Sequence, residues 1–258
     1  MAHPTIKLTQ QTGGPIGHPF IELSSVDSTN NYAMGKVHAG LASHGMVVFA
    51  HEQTAGKGQR GKTWTSSPGK NIMLSAVLEP ASMLPGQQFS LSMAIALACY
   101  DLLHAFVPAG LSIKWPNDLY WRDRKAGGIL IESVCKGQAW LFAVAGIGIN
   151  INQIRFSKDA ARAVSLKQIT GSEFSVSELT RELCHCLNKR YSQLLKQGIT
   201  GILFEYNQLL FKRDQLVELK TGGRLLQTTI SKVTEHGRLI TYDSEERIFD
   251  FGEVEWVL

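Results

Sequence analysis

The sequence predicts an α+β fold: a mixed sheet with flanking helices, followed by a small β-barrel. Three observations carry this. Apolar runs of strand length succeed one another with few helices between them, which argues against strict βαβ alternation. Two longer segments repeat their apolar residues at helical spacing. After residue 206 the chain changes to short β-rich runs separated by turn residues.

Residues 1–20 are rich in Gly, Pro and Thr and read as an extended lead-in. A strand starts at Ile21 and ends in a polar turn, where Asp27 or Ser28 can cap a helix over Asn30 to Val37. Gly45 to Ala50 is a short apolar run, hence a buried strand. A loop rich in Gly, Lys and Arg occupies Gln53 to Lys70, and a strand follows from Asn71 to Leu78. Phe89, Met93, Leu97, Tyr100 and Leu103 set a helix within residues 86–107. Strands are expected at Leu111 to Trp115, Gly127 to Ser133 and Trp140 to Ile151. Ser175 and Glu178 form a capping-box pattern, after which Leu179, Leu183, Leu187, Tyr191 and Leu194 mark a second long helix. A domain boundary near Tyr206 divides the chain into the lead-in, a main domain over 21–206 and a small β domain over 207–258. Its strands are Gln215 to Lys220, Arg224 to Thr234, Arg238 to Asp243 and Arg247 to Phe251.

With 258 residues, 44% hydrophobic and 19% charged, the chain can bury enough apolar surface to offset its folding entropy, so disorder is excluded. The formal charge of +4 is small for a duplex-binding protein. It is also uneven: +6 over residues 1–206 and −2 over the remainder. The first segment is therefore the better candidate for an anionic ligand. Cys99, Cys135, Cys184 and Cys186 lie in helix- or strand-like segments; no second Cys/His pair stands at zinc spacing from Cys184 and Cys186. They read as free core thiols in a reducing compartment. No signal-peptide h-region opens the chain. Its most apolar stretch, Phe89 to Val107, is interrupted by Ser90, Ser92, Asp101 and His104, too polar for a membrane span. A soluble cytoplasmic protein is expected.

Gly56 to Thr63 spells the phosphate-loop pattern G-x-x-x-x-G-K-[ST] and also contains G-x-G-x-x-G. Both patterns require a long helix starting at the loop. Here Pro68 and Gly69 follow within a turn, so neither reading holds. What remains is a loop whose glycines permit close backbone approach and whose Lys57, Arg60 and Lys62 can meet an anion. Such a loop is expected to be mobile until an anion fills it.

Lys114-Trp-Pro-Asn-Asp118 ends a strand and presents an amide beside a carboxylate. Lys125 then enters the glycine turn Lys125-Ala-Gly-Gly-Ile-Leu-Ile-Glu132, and Gly146-Ile-Gly-Ile-Asn150 ends an apolar strand on a side-chain amide. Each has a plain reading, as turn chemistry or a surface lysine. Together with Ser25-Val-Asp-Ser-Thr-Asn30, Gln53 to Trp64 and Ser67 to Asn71, in this order, they resemble the biotin protein ligases, the biotin–[acetyl-CoA carboxylase] ligase family.

The resemblance implies a class II synthetase-like catalytic domain and a C-terminal SH3-like β-barrel. It also implies two steps: biotin and ATP give biotinyl-5′-AMP, then a lysine of a biotin carboxyl carrier domain receives the biotin. By motif position, Ser28, Thr29 and Gln53 meet the ureido ring, while Gly56, Gly127 and Gly128 lie along biotin. Lys57 and Lys125 approach its carboxylate. Arg60, Lys62, Trp64, Lys125 and Asn150 serve ATP, with Trp64 stacked on adenine or, on the plain reading, buried as a core tryptophan. Lys125, Lys57, Asp118 and Arg60 form the implied catalytic set. Mg²⁺ would bridge phosphates near Asp118 or Asn150, and Asp118 can also orient the carrier lysine or accept its proton.

Two departures stand out. The loop carries Lys57 and Lys62 where the best-known members have arginine, which keeps charge but loses the planar fork. Gln59 replaces an arginine linked in that family to retention of the adenylate. Some members carry an N-terminal helix-turn-helix; residues 1–20 leave no room for one, so no DNA role is expected. The alternatives are a lipoate or octanoate ligase or transferase, whose plain acyl chain would leave the polar set unused, and a non-catalytic nucleotide-binding module.

Overall fold

The structure, a computed structural model, describes residues 14–80 and 83–258. The expectation for residues 1–13 lies outside these. From Gly14 on, the lead-in docks on the body of the protein: Ile16 is buried, and its backbone N–H and C=O both bond the Asn188 side chain at 2.8 Å.

The main sheet has seven strands: β1 (Phe20–Leu23), β2 (Val47–Ala50), β3 (Asn71–Leu78), β4 (Leu111–Lys114), β5 (Asp118–Trp121), β6 (Arg124–Lys136) and β7 (Ala139–Asn150). Their spatial order is β1-β2-β3-β7-β6-β5-β4. Only β1 and β2 run parallel, so the sheet is mixed as expected. All eight residues of β3 are buried, which means both faces of the sheet are covered. Alternation sorts the side chains. Val47, Phe49, Leu74, Ala76 and Leu78 face α2 (Gln88–His104) and α4 (Val176–Gln197). Val48, Val77 and Val144 face Ala33 and Val37 of α1 (Thr29–His38).

Helix α2 is more buried than a single stripe allows: Leu91, Ala94, Ile95, Ala98, Cys99 and Leu102 are enclosed along with Met93, Leu97 and Leu103. It is sandwiched between the sheet and the helices α4 and α5 (Ile199–Gln208) rather than lying on the surface. In α4 the expected stripe is the buried one, and Ser175 accepts a hydrogen bond from the Glu178 N–H at 3.3 Å. Arg190 of α4 joins three helices. It holds Asp101 of α2 through Nε and Nη2 at 2.7 and 2.8 Å, and Glu205 of α5 through Nη1 at 2.6 Å. These carboxylates hold the Arg190 guanidinium firmly protonated, Asp101 most strongly. The cysteines are free, but Cys135 is exposed near the end of β6, so it is not the core thiol expected.

Two α-helices lie outside the expected set, α3 (Leu166–Thr170) and α5, in whose last turns the buried Tyr206 sits, as does the strand β5. Beyond α5 a five-stranded antiparallel sheet is built from β8 (Leu216–Thr221), β9 (Arg224–Val233), β10 (Leu239–Tyr242), β11 (Glu246–Phe249) and β12 (Glu255–Val257), ordered β11-β10-β9-β8-β12. This is the small β unit the C-terminal texture predicted. Asn207 ties it to α5 by bonding both the N–H and the C=O of Val233. Trp115 donates its indole N–H to the Gly237 carbonyl at 2.8 Å. Among the described residues, no helix is long and apolar enough to cross a membrane.

Candidate active site

A cavity of about 780 Å³ opens over the β3, β6 and β7 strands, within the size range of small-molecule sites. At one end stand Ser28, Thr29 and Asn30, where α1 begins. Ser28 occupies the N-cap position, but its hydroxyl makes no capping bond. Instead the Gln53 side-chain oxygen accepts from the Thr29 N–H at 2.7 Å and from the Thr29 hydroxyl at 3.1 Å. Ser75 is a polar residue within the buried, mostly apolar β3 run. Its Oγ lies 2.6 Å from Asn30 Oδ1, which can only accept and so takes the Ser75 proton, and 2.8 Å from Thr29 Oγ1. Asn30 donates to Glu132 at 2.7 Å. This end of the cavity is a cluster of amides and hydroxyls, not an apolar sleeve.

The floor lacks side chains where the cavity needs space. A methyl on Gly146 would run into the Asn30 amide, and one on Gly148 would lie 2.6 Å from Cε2 of Trp64. One on Gly128 would stand 3.2 Å from both Asp118 Oδ1 and Lys125 Nζ. Gly127 and Gly128 are adjacent on β6, so only one can face the cavity; Gly128 does, and Gly127 packs behind against Ile149. Gly56 also sits behind the wall, where a Cβ would strike the Trp64 carbonyl.

The glycine-rich loop forms the roof. It is a tight hairpin closed by a Lys57–Thr63 bridge and a 2.7 Å bond from the Gly58 N–H to the Lys62 carbonyl. At its tip Arg60 adopts a left-handed backbone, φ 55°. Its guanidinium donates to the Gly252 carbonyl at 3.3 Å and lies over the Phe251 ring. No long helix follows Thr63, so the phosphate-loop spelling is accidental, as Pro68 and Gly69 indicated. Trp64 is half-buried against Gly148, and its indole N–H is buried without an acceptor among the described residues.

Cations gather at the far end. Lys125 Nζ pairs with Asp118 Oδ1 at 2.7 Å and stands 6.0 Å from the Trp64 ring centre. Arg60, Lys62, Lys114 and Arg162 also line the cavity, whereas Lys57 stands toward the polar end, its Nζ 3.9 Å from Glu132, the carboxylate that Asn30 holds. Burial draws the Lys114 ammonium down to about 8, with Lys125 and Lys62 acting in the same direction and Asp118 opposing them. Burial likewise raises the neighbouring Tyr120 hydroxyl above its ordinary value. For Mg²⁺ the donor set is sparse: among the described residues there is no group of three or more His, Cys, Asp or Glu that could hold an ion. Asp118 and Asn150 line the cavity, Asn150 donating to the Lys125 carbonyl at 3.4 Å. That fits a cation arriving with substrate phosphates, which needs only one or two protein ligands.

The model of the biotin/lipoate A/B protein ligase family matches residues 22–150, half of the chain. A biotin–[acetyl-CoA-carboxylase] ligase of Paracoccus denitrificans is 42% identical over 225 residues, 84% of this chain and 92% of that one. The chain belongs to the biotin protein ligase family. A bifunctional ligase/repressor BirA of Salmonella typhimurium is 30% identical over 206 residues, 78% of this chain; the chain spans 62% of that relative's length. In fold this family member resembles the biotin protein ligase of Aquifex aeolicus solved with biotin and ATP: TM-score 0.77, 23% identity, covering 92% of this chain and 97% of that one.

Several cavity residues of this family member escaped the sequence reading. Asn30 closes the Ser25–Asn30 motif and Lys114 opens Lys114–Asp118, yet no local pattern gives either a role. Ser75, buried behind the cavity wall, carries a usable signal: a hydroxyl in the middle of the apolar run Ile72 to Leu78 needs a polar partner. Phe156, Asp159 and Arg162 follow the last motif, and Phe251, Gly252 and Trp256 arrive from the C-terminal segment. No local pattern marks these.

Proposed function

We propose that this protein is an ATP-dependent biotin protein ligase that forms biotinyl-5′-AMP and passes biotin to a lysine of a biotin carboxyl carrier domain. One observation carries the reading: a single cavity joins an amide–hydroxyl end to a cationic end, across a glycine floor. A ureido ring presents both donors and acceptors, which Ser28, Thr29 and Gln53 can answer. A carboxylate and a triphosphate must be brought together against their mutual repulsion, and Lys57, Arg60, Lys62 and Lys125 offset it.

In the first step a biotin carboxylate oxygen attacks the α-phosphorus, the bond to the bridging oxygen breaks, and pyrophosphate leaves with that electron pair. Lys125, fixed by Asp118, stabilises the charge gathering between carboxylate and phosphate. Mg²⁺, held chiefly by the phosphates with Asp118 or Asn150 beside it, would neutralise part of the polyphosphate charge. Trp64 lies where the loop closes and can cover the adenine. In the second step the carrier amine attacks the acyl carbon and AMP departs, while Asp118 orients the amine or accepts a proton from it. The closed hairpin keeps water from the mixed anhydride.

The acetyl-CoA-carboxylase ligase among its relatives makes the carrier domain of that carboxylase the proposed acceptor, and free thiols suit a cytoplasmic site of action. The polar end favours a ureido ring over lipoate or octanoate, whose plain tails would gain no hydrogen bond from it. The test is ATP–pyrophosphate exchange. Exchange that requires biotin and does not occur with lipoate or octanoate is expected; folded protein that shows no biotin-dependent exchange would sink the reading.

A further inference from the structure

Lys114 is the last residue of β4, and strand alternation turns it away from the core-facing Ile113 into the cavity. Its ammonium lies 5.2 Å from the Tyr120 ring centre and 5.1 Å from that of Trp256, so two aromatic faces seat it. Tyr120 comes from β5, in the main sheet, and Trp256 from β12, in the C-terminal sheet. Lys125 takes Asp118 Oδ1 at 2.7 Å, whereas no carboxylate among the described residues lies within ion-pair distance of Lys114. The charged groups around it are Asp118 on β5, Lys125 on β6 and Lys62 on the loop, with Glu255 on the same wall as Trp256. The Trp256 indole N–H is itself buried without an acceptor among the described residues. A half-buried ammonium without an ion-pair partner of its own thus lines the cavity, with Asp118 committed to Lys125, and it calls for an anion.

We propose that Lys114 binds the polyphosphate of the nucleotide, and that Trp256 is a positioning residue which seats it from the C-terminal sheet. The inference rests on the ligase reading for the identity of the nucleotide, but its anion-binding content stands apart from that reading. It also gives the C-terminal sheet a specific task in the site: it supplies the ring that aims this ammonium.

The experiment measures binding of inorganic pyrophosphate, ATP and adenosine, each with Mg²⁺, by calorimetry on the full chain. Lys114→Met keeps an unbranched apolar chain between the rings; Lys114→Arg keeps the charge. Lys114→Met is expected to weaken pyrophosphate and ATP by about tenfold to a hundredfold, the worth of a hydrogen bond to a charged group. Adenosine and biotin binding should be unchanged, and Lys114→Arg should recover most of the loss. Trp256→Leu should weaken pyrophosphate less, with no further loss when combined with Lys114→Met. Folded Lys114→Met with wild-type pyrophosphate affinity overturns the assignment while leaving biotin-dependent exchange intact. Equal weakening of adenosine and pyrophosphate also overturns it, since that marks a merely structural role. Should wild type lack biotin-dependent exchange, the ligase reading fails, and the pyrophosphate measurement still decides whether Lys114 is an anion site.

Discussion

Gly148→Ala probes how the roof of the cavity rests on its floor. The added methyl would lie 2.6 Å from Cε2, 2.7 Å from Cζ2 and 3.0 Å from Cδ2 of Trp64. Ordinary carbon–carbon contact is about 3.5–4.0 Å, so the intrusion is roughly 1 Å. The strand cannot give way: Gly148 is paired with Met73 on one side and Gly128 on the other, in the middle of the sheet. The half-buried ring therefore moves, and the hairpin moves with it, because the Trp64 N–H is bonded to the Gly56 carbonyl at 2.9 Å. Overpacking of this kind costs about 1–3 kcal/mol. If it falls on the closed, nucleotide-binding arrangement, the KM for ATP rises by roughly fivefold to a hundredfold. The assay is pyrophosphate exchange with ATP varied at saturating biotin, alongside a thermal melt and the Trp emission spectrum. Combining Gly148→Ala with Trp64→Leu should abolish the penalty, since the clash partner is gone. An unchanged KM for ATP and an unchanged melt in Gly148→Ala would refute the reasoning. So would a penalty of equal size whether residue 64 is the native tryptophan or has been replaced.

Further expectations follow from the same geometry. Lys125→Ala removes the partner of Asp118 and should slow adenylation by about two orders of magnitude or more, the scale of losing one preorganised electrostatic contact; single-turnover formation of the adenylate reads this. Thr29→Val keeps the side-chain shape but loses the hydroxyl that bonds Gln53 and meets Ser75, so the biotin KM should rise about tenfold with little change in kcat. Arg190→Met strips Asp101 and Glu205 of their shared partner and should cost about 3 kcal/mol, which urea unfolding would detect; Glu205 is partly exposed, which keeps the loss at the low end for a broken buried pair. Burial holds His44 below its ordinary value of 6.5. The unfolded chain therefore binds the extra proton first: this contribution is intact above 6.5 and is lost as pH falls through the lower folded value. His44→Asn should flatten that acid limb of the stability curve.

Segments that carry their own periodicity were legible in the sequence. Asn71–Leu78 and the α4 stripe emerge where expected because their burial is decided by residues a few positions apart. β5 and β12 were not legible: β5 starts inside the Pro-Asn-Asp stretch, which reads as turn chemistry, and β12 has three residues, too few for alternation to register. The neighbours of a strand were equally hidden. Nothing local says that β1 should lie parallel to β2, or that β7 should return between β3 and β6. The site divides the same way. Thr29, Gln53, Lys125 and Asp118 stand in compact motifs, whereas Arg162 and Trp256 reach the cavity only through tertiary folding. In the Gly127–Gly128 pair the letters mark both, while only Gly128 lines the cavity.

The cavity wall runs from Ser28 to Trp256, nearly the whole span of the chain. During synthesis, every motif up to Asn150 has been made while the ring that seats Lys114 and the carbonyl that holds Arg60 do not yet exist. A chain that stops short of these residues thus lacks one side of the cavity. On the proposed ligase reading, the enclosure that would hold a reactive acyl phosphate forms only once the segment carrying Gly252 and Trp256 has docked.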